Sequence, residues 1–348
     1  IEMANIILPI GLSFYIFHAI SYLIDIYRKE ALPARNLIDF SAFIALFPHL
    51  VAGPVLRYHL LAEQFHHRVH SWSNFSRGCT IFMVGFCKKV LIADTVAPLA
   101  DAAFAIKNPS MMDAWLGTIA YTIQLFFDFS GYTDMAIGLA LMIGFVFPQN
   151  FNDPYTSKSI TEFWQRWHMS LSSWLREYLY IPLGGNKKGT RRTYINLFLT
   201  MLLGGLWHGA NWTFVVWGAW HGGILAIERY LKSKFGDSIL PSWLRIIKTM
   251  LLVMIGWIFF RAIDLNNALQ MLRGLIGLNG FNFSNMMEWQ IEPDRLGILF
   301  VAIFLVYAMP WLHRYRGGPM RYLLIPLFFW AVATLSAQNF TPFLYFQF

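Results

Sequence analysis

Apolar runs recur from one end of the chain to the other, and they constrain its fold more than any other feature. The clearest cover residues 6–24, 79–106, 115–147, 194–228, 246–263, 296–312 and 321–337. Several reach the roughly 20 residues that a helix needs to cross about 30 Å of hydrocarbon. In lipid a backbone must satisfy its own hydrogen bonds, so spans of this kind are helices. Composition agrees: 57% of the 348 residues are hydrophobic and only 13% are charged, against about 25% charged in a soluble domain. The chain reads as an all-α, polytopic transmembrane helical bundle.

The net charge of +8 does not point to nucleic acid. The cations collect at the ends of apolar runs: Arg28 and Lys29; Lys187, Lys188, Arg191 and Arg192; Arg229, Lys232 and Lys234. That is how cytoplasmic loops are marked under the positive-inside rule. Cys79 and Cys87 share one apolar run, which suits reduced packing residues better than a disulfide. No signal peptide is visible, and an opening that is not Met suggests a fragment whose own start is missing. No repeat or linker divides residues 1–348, so one membrane domain is expected. Pro9 and Gly11 interrupt the first run, and Pro148 is expected to close the long run that ends at Phe147.

Residues 159–180 differ from a lipid-spanning segment. Ser159 followed by Glu162 forms a capping-box signature and predicts a helix start. Trp164, Trp167, His168, Leu171, Trp174, Leu175 and Tyr178 then repeat at helical spacing. Gln165, Arg166, Ser173, Arg176 and Glu177 take the other face. One helix is predicted here, lying along the interface or turning its aromatic face into the bundle.

The most telling stretch is Gly-Gly-Leu-Trp-His-Gly-Ala-Asn-Trp, residues 204–212. His208 stands in it among lipid-suited residues, with Gly204, Gly205 and Gly209 around it and Asn211 behind. Ionisable groups at membrane depth are rare and mark functional sites. Arg192 lies sixteen residues before His208, about 24 Å of helix. Either the chain enters and returns between its two basic clusters, or one long kinked helix crosses with His208 near its middle. In both cases the glycines are expected to permit a break, and broken helices at this depth are buried in protein or line a wet cavity. Away from water the neutral imidazole is favoured over the imidazolium, which suits a base at pH 7. His168, and His221 within Trp217-Gly-Ala-Trp-His-Gly, are weaker candidates by the same logic.

Asp128 and Asp134 place two carboxylates in another apolar run. Six residues apart, they do not share a helix face, so a carboxylate dyad is not expected. Ser130 and Asp134 do share one; helix–helix contact at Gly131 and Gly138, or a channel lining, are the two readings. His66, His67 and His70 have a spacing that a metal could use, but they sit in a polar loop with no second ligand cluster. No metal is expected, and no nucleotide-binding or hydrolase fingerprint is present.

Six stretches now carry a resemblance: LPIGLSFYIFHAISYLIDIYR at 8–28, FPHLVAGPVLR at 47–57, FFDFSGYTDMAIGL at 126–139, SITEFWQRWHMSLSSWLREYLYIPLGG at 159–185, LLGGLWHGANWTFVVWGAWHG at 202–222 and TPFLYFQF at 341–348. In these the chain resembles the membrane-bound O-acyltransferase (MBOAT) family, in its bacterial polysaccharide O-acetyltransferase branch. Members of that family begin with additional spans that this sequence lacks.

The resemblance implies a fold with broken or re-entrant helices around a membrane-embedded acyl-transfer site. The family's principal catalytic histidine maps onto His208 and its second onto His168. It implies a multi-pass protein of the bacterial inner membrane, with no bound cofactor and with acetyl-CoA or another cytoplasmic acetyl carrier as donor. The acetyl group would pass to a periplasmic partner that completes O-acetylation of an exported polymer, alginate on overall likeness. Peptidoglycan or cellulose acetylation, and D-alanyl or longer-acyl transfer, are alternatives within the family. A non-enzymatic transporter is the rival class, but it would predict inverted-repeat hydropathy, which is not seen. Chemically, transfer from a thioester needs a base, which His208 could be, and a donor to the oxyanion, for which His168, Trp207 or Asn211 could serve. Asp128, Asp134 and His221 are possible supporting residues.

Overall fold

A computed structural model describes residues 11–50, 53–312, 320–337 and 343–344. Pro9 and most of the 341–348 stretch fall outside these residues. The described residues are helical almost throughout. The first part comprises α1 (Leu12–Tyr27), α2 (Leu37–Ala45), the single turn α3 (Tyr58–Leu61), α4 (Trp72–Cys87), α5 (Asp94–Ala105) and α6 (Met111–Met142). The middle part holds α7 (Ile160–Arg166), α8 (Met169–Leu175), α9 (Thr190–His208) and α10 (Trp212–Phe235). The remainder is α11 (Ser242–Arg261), α12 (Leu265–Leu275), the short α13 (Asn285–Glu288), α14 (Pro293–Leu312) and α15 (Met320–Ala337).

The distribution of side chains is that of a membrane protein. Phe300, Phe304, Phe329 and Trp330 are all more than 60% exposed on α14 and α15, whereas Asp25, Lys89, Asp128, His168 and His221 are buried. An outer surface of large apolar groups with polar groups held inside fits lipid as the surrounding solvent. By length and composition, Ser242–Arg261 and Pro293–Trp311 are each apolar enough to cross a membrane.

Helix α6 is the spine of the bundle. Its 32 residues extend about 48 Å. Ser110 caps its start reciprocally with Asp113: each side chain accepts the other residue's backbone N–H, at 3.2 and 3.1 Å. Its end differs from the sequence expectation. The helix stops at Met142, where Gly144 takes a positive φ of 87° and Phe145 N–H bonds back to the Ala140 carbonyl at 2.8 Å. This left-handed glycine ending closes the helix before Pro148 is reached. Helices α4 and α6 cross at glycines. A Cβ on Gly85 would lie 2.4 Å from the Gly131 carbonyl oxygen, and one on Gly138 would lie 2.6 Å from that of Gly78. The helix-contact reading of Gly131 and Gly138 therefore holds. Cys79 and Cys87 are free thiols on α4.

Between α4 and α5 the helix widens into a π turn over Lys88–Ala93. From it Lys88 reaches Asp134 at 2.6 Å, and Lys89 reaches both Asp128 and Asp94 at 2.7 Å. Asp128 and Asp134 of α6 are thus ion-paired, each to one of two successive lysines.

The two basic clusters lie at one end of a helical hairpin. Helices α9 and α10 form a hairpin whose open end carries Lys187, Lys188, Arg191, Arg192, Arg229, Lys232 and Lys234, all exposed. His208 ends α9 at the opposite tip, and only Gly209–Asn211 separate the two helices. Gly204 and Gly205 do not break the helix, contrary to the sequence expectation. Gly205 lets α10 approach instead: a Cβ there would lie 2.3 Å from the Phe214 carbonyl oxygen.

Candidate functional site

The segment 159–180 begins as predicted. Ser159 caps α7 by accepting the Glu162 N–H at 3.0 Å, while the Glu162 carboxylate turns to the Lys158 N–H at 2.8 Å. Its predicted face turns into the bundle: Trp167, His168, Leu171, Trp174, Leu175 and Tyr178 are buried, and Trp164 is half-buried. The predicted single helix is not continuous. It breaks at Trp167–His168, where Trp167 is extended and His168 adopts the left-handed conformation, φ 44° and ψ 54°. Beyond α8 it widens into a second π turn, Arg176–Tyr180.

A break in apolar surroundings exposes backbone groups that must find partners. The segment after Pro148 supplies them. Asn152 N–H donates to the Arg166 carbonyl at 2.9 Å, and Met169 N–H donates to the Asn150 carbonyl at 2.9 Å. Helix α8 restarts with Ser172 N–H bonding to the His168 carbonyl. Its far end is held by polar contacts: the Tyr178 hydroxyl donates to buried Asp25, which also meets His59 Nδ1 at 2.8 Å.

The break turns His168 into a narrow cavity of about 30 Å³, which His208 lines as well. Trp164 of α7, Trp167 of the break and Leu171 of α8 accompany His168, and α6 supplies Leu125, Asp128 and Phe129. Trp217 of α10, Trp257 and Phe260 of α11, and Leu344 complete the wall. The His168 ring stands edge-on to Phe129 at 4.7 Å. His208 stands edge-on to Phe260 at 4.9 Å and to Trp217 at 5.3 Å. His168 is buried, its Nδ1 meets the Asn150 side-chain oxygen at 3.1 Å, and its Nε2 has no hydrogen-bond partner among the described residues. Two imidazoles thus share one aromatic-walled cavity, although they lie forty residues apart in sequence.

The other candidates fall into place around this cavity. Asp128 lines it but is engaged by Lys89 and by the Leu344 N–H at 3.1 Å. Asp134 is committed to Lys88 and is not part of the wall. Trp207 packs against Phe17 at 4.9 Å, on the side of α1. Asn211 caps α10 through Thr213 N–H at 3.1 Å and donates to the Ile263 carbonyl at 2.9 Å. Both ends of its amide are therefore engaged, and it does not line the cavity. His221 accepts from Trp164 Nε1 at 3.4 Å and fits against Gly256, where a Cβ would lie 2.6 Å from its Nε2. It too lies off the wall. His66, His67 and His70 are exposed.

Three features escaped the sequence reading. Lys88 and Lys89 carried a usable signal, because charges inside an apolar run require partners. Trp217 lines the cavity, and its buried indole N–H has no hydrogen-bond partner among the described residues, so it is free to donate. Asn150 has no pattern to betray it.

The sequence match states what class of protein places two histidines on this aromatic-walled cavity. Residues 28–271 match the membrane-bound O-acyltransferase family, and the chain belongs to that family. Its relatives include a probable alginate O-acetylase of Azotobacter vinelandii, 49% identical with 99% of this chain and 77% of that protein covered. A probable alginate O-acetylase of Pseudomonas putida is 51% identical, covering 99% of this chain and 76% of the relative. A peptidoglycan O-acetyltransferase of Helicobacter pylori is 36% identical, covering 89% and 64%.

Proposed function

We propose that this acyltransferase moves acetyl groups from a cytoplasmic carrier, acetyl-CoA or an equivalent thioester, across a bacterial inner membrane. The acetyl groups serve O-acetylation of an exported polysaccharide by periplasmic partner proteins. Alginate is the acceptor polymer that the likeness to alginate O-acetylases favours, since those relatives cover nearly the whole chain at 49–51% identity. The observation that carries the reading is the cavity shared by His208 and His168.

The chemistry is simple to balance. An acceptor hydroxyl oxygen bonds to the acetyl carbonyl carbon, the carbon–sulfur bond breaks, and the hydroxyl proton ends on the departing sulfur. A neutral imidazole can carry that proton, an aid worth roughly 10²–10⁴-fold in rate. A donor to the transient oxyanion adds to it, and the presence of the Trp217 indole on the cavity wall supports that role for it. The aromatic lining keeps bulk water, a competing nucleophile, away from the thioester.

The test follows radiolabel from acetyl-CoA into purified polymer in cells that carry His208→Ala. Acetylation should be abolished while the protein inserts and accumulates normally, and His168→Ala should lose much of the activity. Near-normal acetylation by His208→Ala at normal abundance would refute the mechanism. Label appearing in peptidoglycan instead of alginate would keep the chemistry and change the acceptor.

A further inference from the structure

The Asn150 side chain, 1% exposed, gathers three groups at its Oδ1. Ser170 N–H donates at 3.1 Å, the Ser170 hydroxyl donates at 2.8 Å, and His168 Nδ1 lies at 3.1 Å. A backbone N–H can only donate, so the atom it meets is the amide oxygen, and the orientation of the amide follows. Facing that oxygen, Nδ1 of a neutral His168 carries the ring proton. The Ser170 oxygen agrees. It lies 3.4 Å from Nδ1, directs its own hydrogen at Asn150 and receives Val55 N–H at 2.9 Å. It therefore offers Nδ1 only a lone pair. A neutral imidazole has a single N–H, so Nε2 of His168 is a bare lone pair. That atom is buried without a partner among the described residues, on a residue of the cavity wall.

We infer that Asn150 is a positioning residue: it holds His168 as the Nδ1–H tautomer, so that Nε2 is the proton acceptor for the attacking hydroxyl. The inference rests on the acyl-transfer reading above and deepens it. It also reverses the division of labour expected from sequence, because a histidine held this way accepts a proton and cannot donate to an oxyanion while neutral. As the new oxygen–carbon bond forms, Nε2 takes the hydroxyl proton. As the carbon–sulfur bond breaks, the same proton passes to the sulfur. Asn150 Oδ1 accepts from Nδ1–H throughout, and more strongly while the ring is an imidazolium. The arrangement is rigid, since the Asn150 backbone carbonyl also takes the Met169 N–H immediately after His168. Asn150 is therefore tied to Met169 through its backbone and to His168 through its side chain.

Three variants and one spectrum test this. Acetyl transfer is followed from radiolabelled acetyl-CoA in membranes carrying the complete chain. Asn150→Ala should lower kcat about tenfold or more while KM for acetyl-CoA stays within about twofold. Asn150→Asp, whose carboxylate oxygen accepts the same bond, should return kcat to within about threefold of the parent. In ¹⁵N-histidine-labelled protein in nanodiscs, with the His168 signal identified by its loss in His168→Gln, the proton should sit on Nδ1 in the parent and in Asn150→Asp. An Nε2–H signal in the parent would overturn the inference even if Asn150→Ala failed to fold. So would full kcat in Asn150→Ala, or an Asp variant of normal abundance that stays as slow as Ala. If the parent moves no label from acetyl-CoA, the acyl-transfer reading fails, and the tautomer signal still decides the role of Asn150.

Discussion

Lys89 meets Asp128 at 2.7 Å in the interior of the bundle, reaching it from the widened turn that precedes α5. The lysine is shared, since Asp94 lies at the same distance on its other side, and its ammonium also sits 4.7 Å from the Phe343 ring. Because Asp128 is on the cavity wall, this cluster fixes that wall and the approach of Phe343–Leu344 together.

The sharing makes an asymmetry testable. Lys89→Met removes the ammonium that both carboxylates share, and breaking a buried ion pair in this way costs about 3–5 kcal/mol. Asp128→Asn leaves Lys89 paired with Asp94 and should cost clearly less. Thermal unfolding of the detergent-solubilised protein should therefore place Lys89→Met well below Asp128→Asn. The reverse order would show that the lysine is not the keystone of the cluster.

The glycine crossing gives a second contrast. Gly131→Ala must push against Gly85, whose carbonyl oxygen would lie 2.7 Å from the new Cβ, and overpacking of this kind costs about 1–3 kcal/mol. Gly223, with nothing within 4 Å of its Cβ position, should accept alanine without loss. Equal abundance and melting temperature for the two variants would mean that α4 and α6 do not meet as described.

Orientation is decided at the open end of the α9–α10 hairpin. With Cys79 and Cys87 replaced by serine, a cysteine at exposed Lys188 should resist an impermeant thiol reagent in intact cells and react after permeabilisation, because four cations in one short loop mark the cytoplasmic side. Labelling of intact cells would invert the bundle and move the donor to the opposite face.

His221 separates packing from chemistry. It is buried against Gly256 and Trp164, off the cavity wall. His221→Ala should lower abundance and melting temperature by leaving a void, at about 2–4 kcal/mol for a buried side chain of this size. Acetyl transfer per folded molecule should stay near that of the parent. A specific loss of turnover at full abundance would bring His221 into the reaction.

Much of this arrangement was legible in the sequence, for identifiable reasons. Periodicity found the buried face of 159–180, because a helix facing a core repeats its apolar positions whether or not it is interrupted. It could not find the interruption, since the left-handed turn at His168 follows from partners that the 150–152 segment brings from elsewhere in the chain. His208 could be read because an ionisable residue stands out in an apolar run. Asn150 could not, because a polar residue after a proline looks like any loop until the fold buries it. The end of α6 was misplaced for a similar reason: Pro148 was the more conspicuous breaker, but Gly144 meets the chain first.

The backbone at His168 carries a consequence for how such a chain can change. At φ 44°, an L-residue sits about 1–2 kcal/mol above its preferred conformations, although histidine tolerates the region better than most. Glycine would occupy the position without strain, and it would remove the imidazole. Burial of that ring outweighs the strain, since truncating a buried side chain of this size costs about 2–5 kcal/mol and His168 packs edge-on to Phe129 and bonds to Asn150. The unfavourable turn therefore persists because the imidazole that sits on it also holds it in place, and a residue better suited to the backbone would loosen the bundle here.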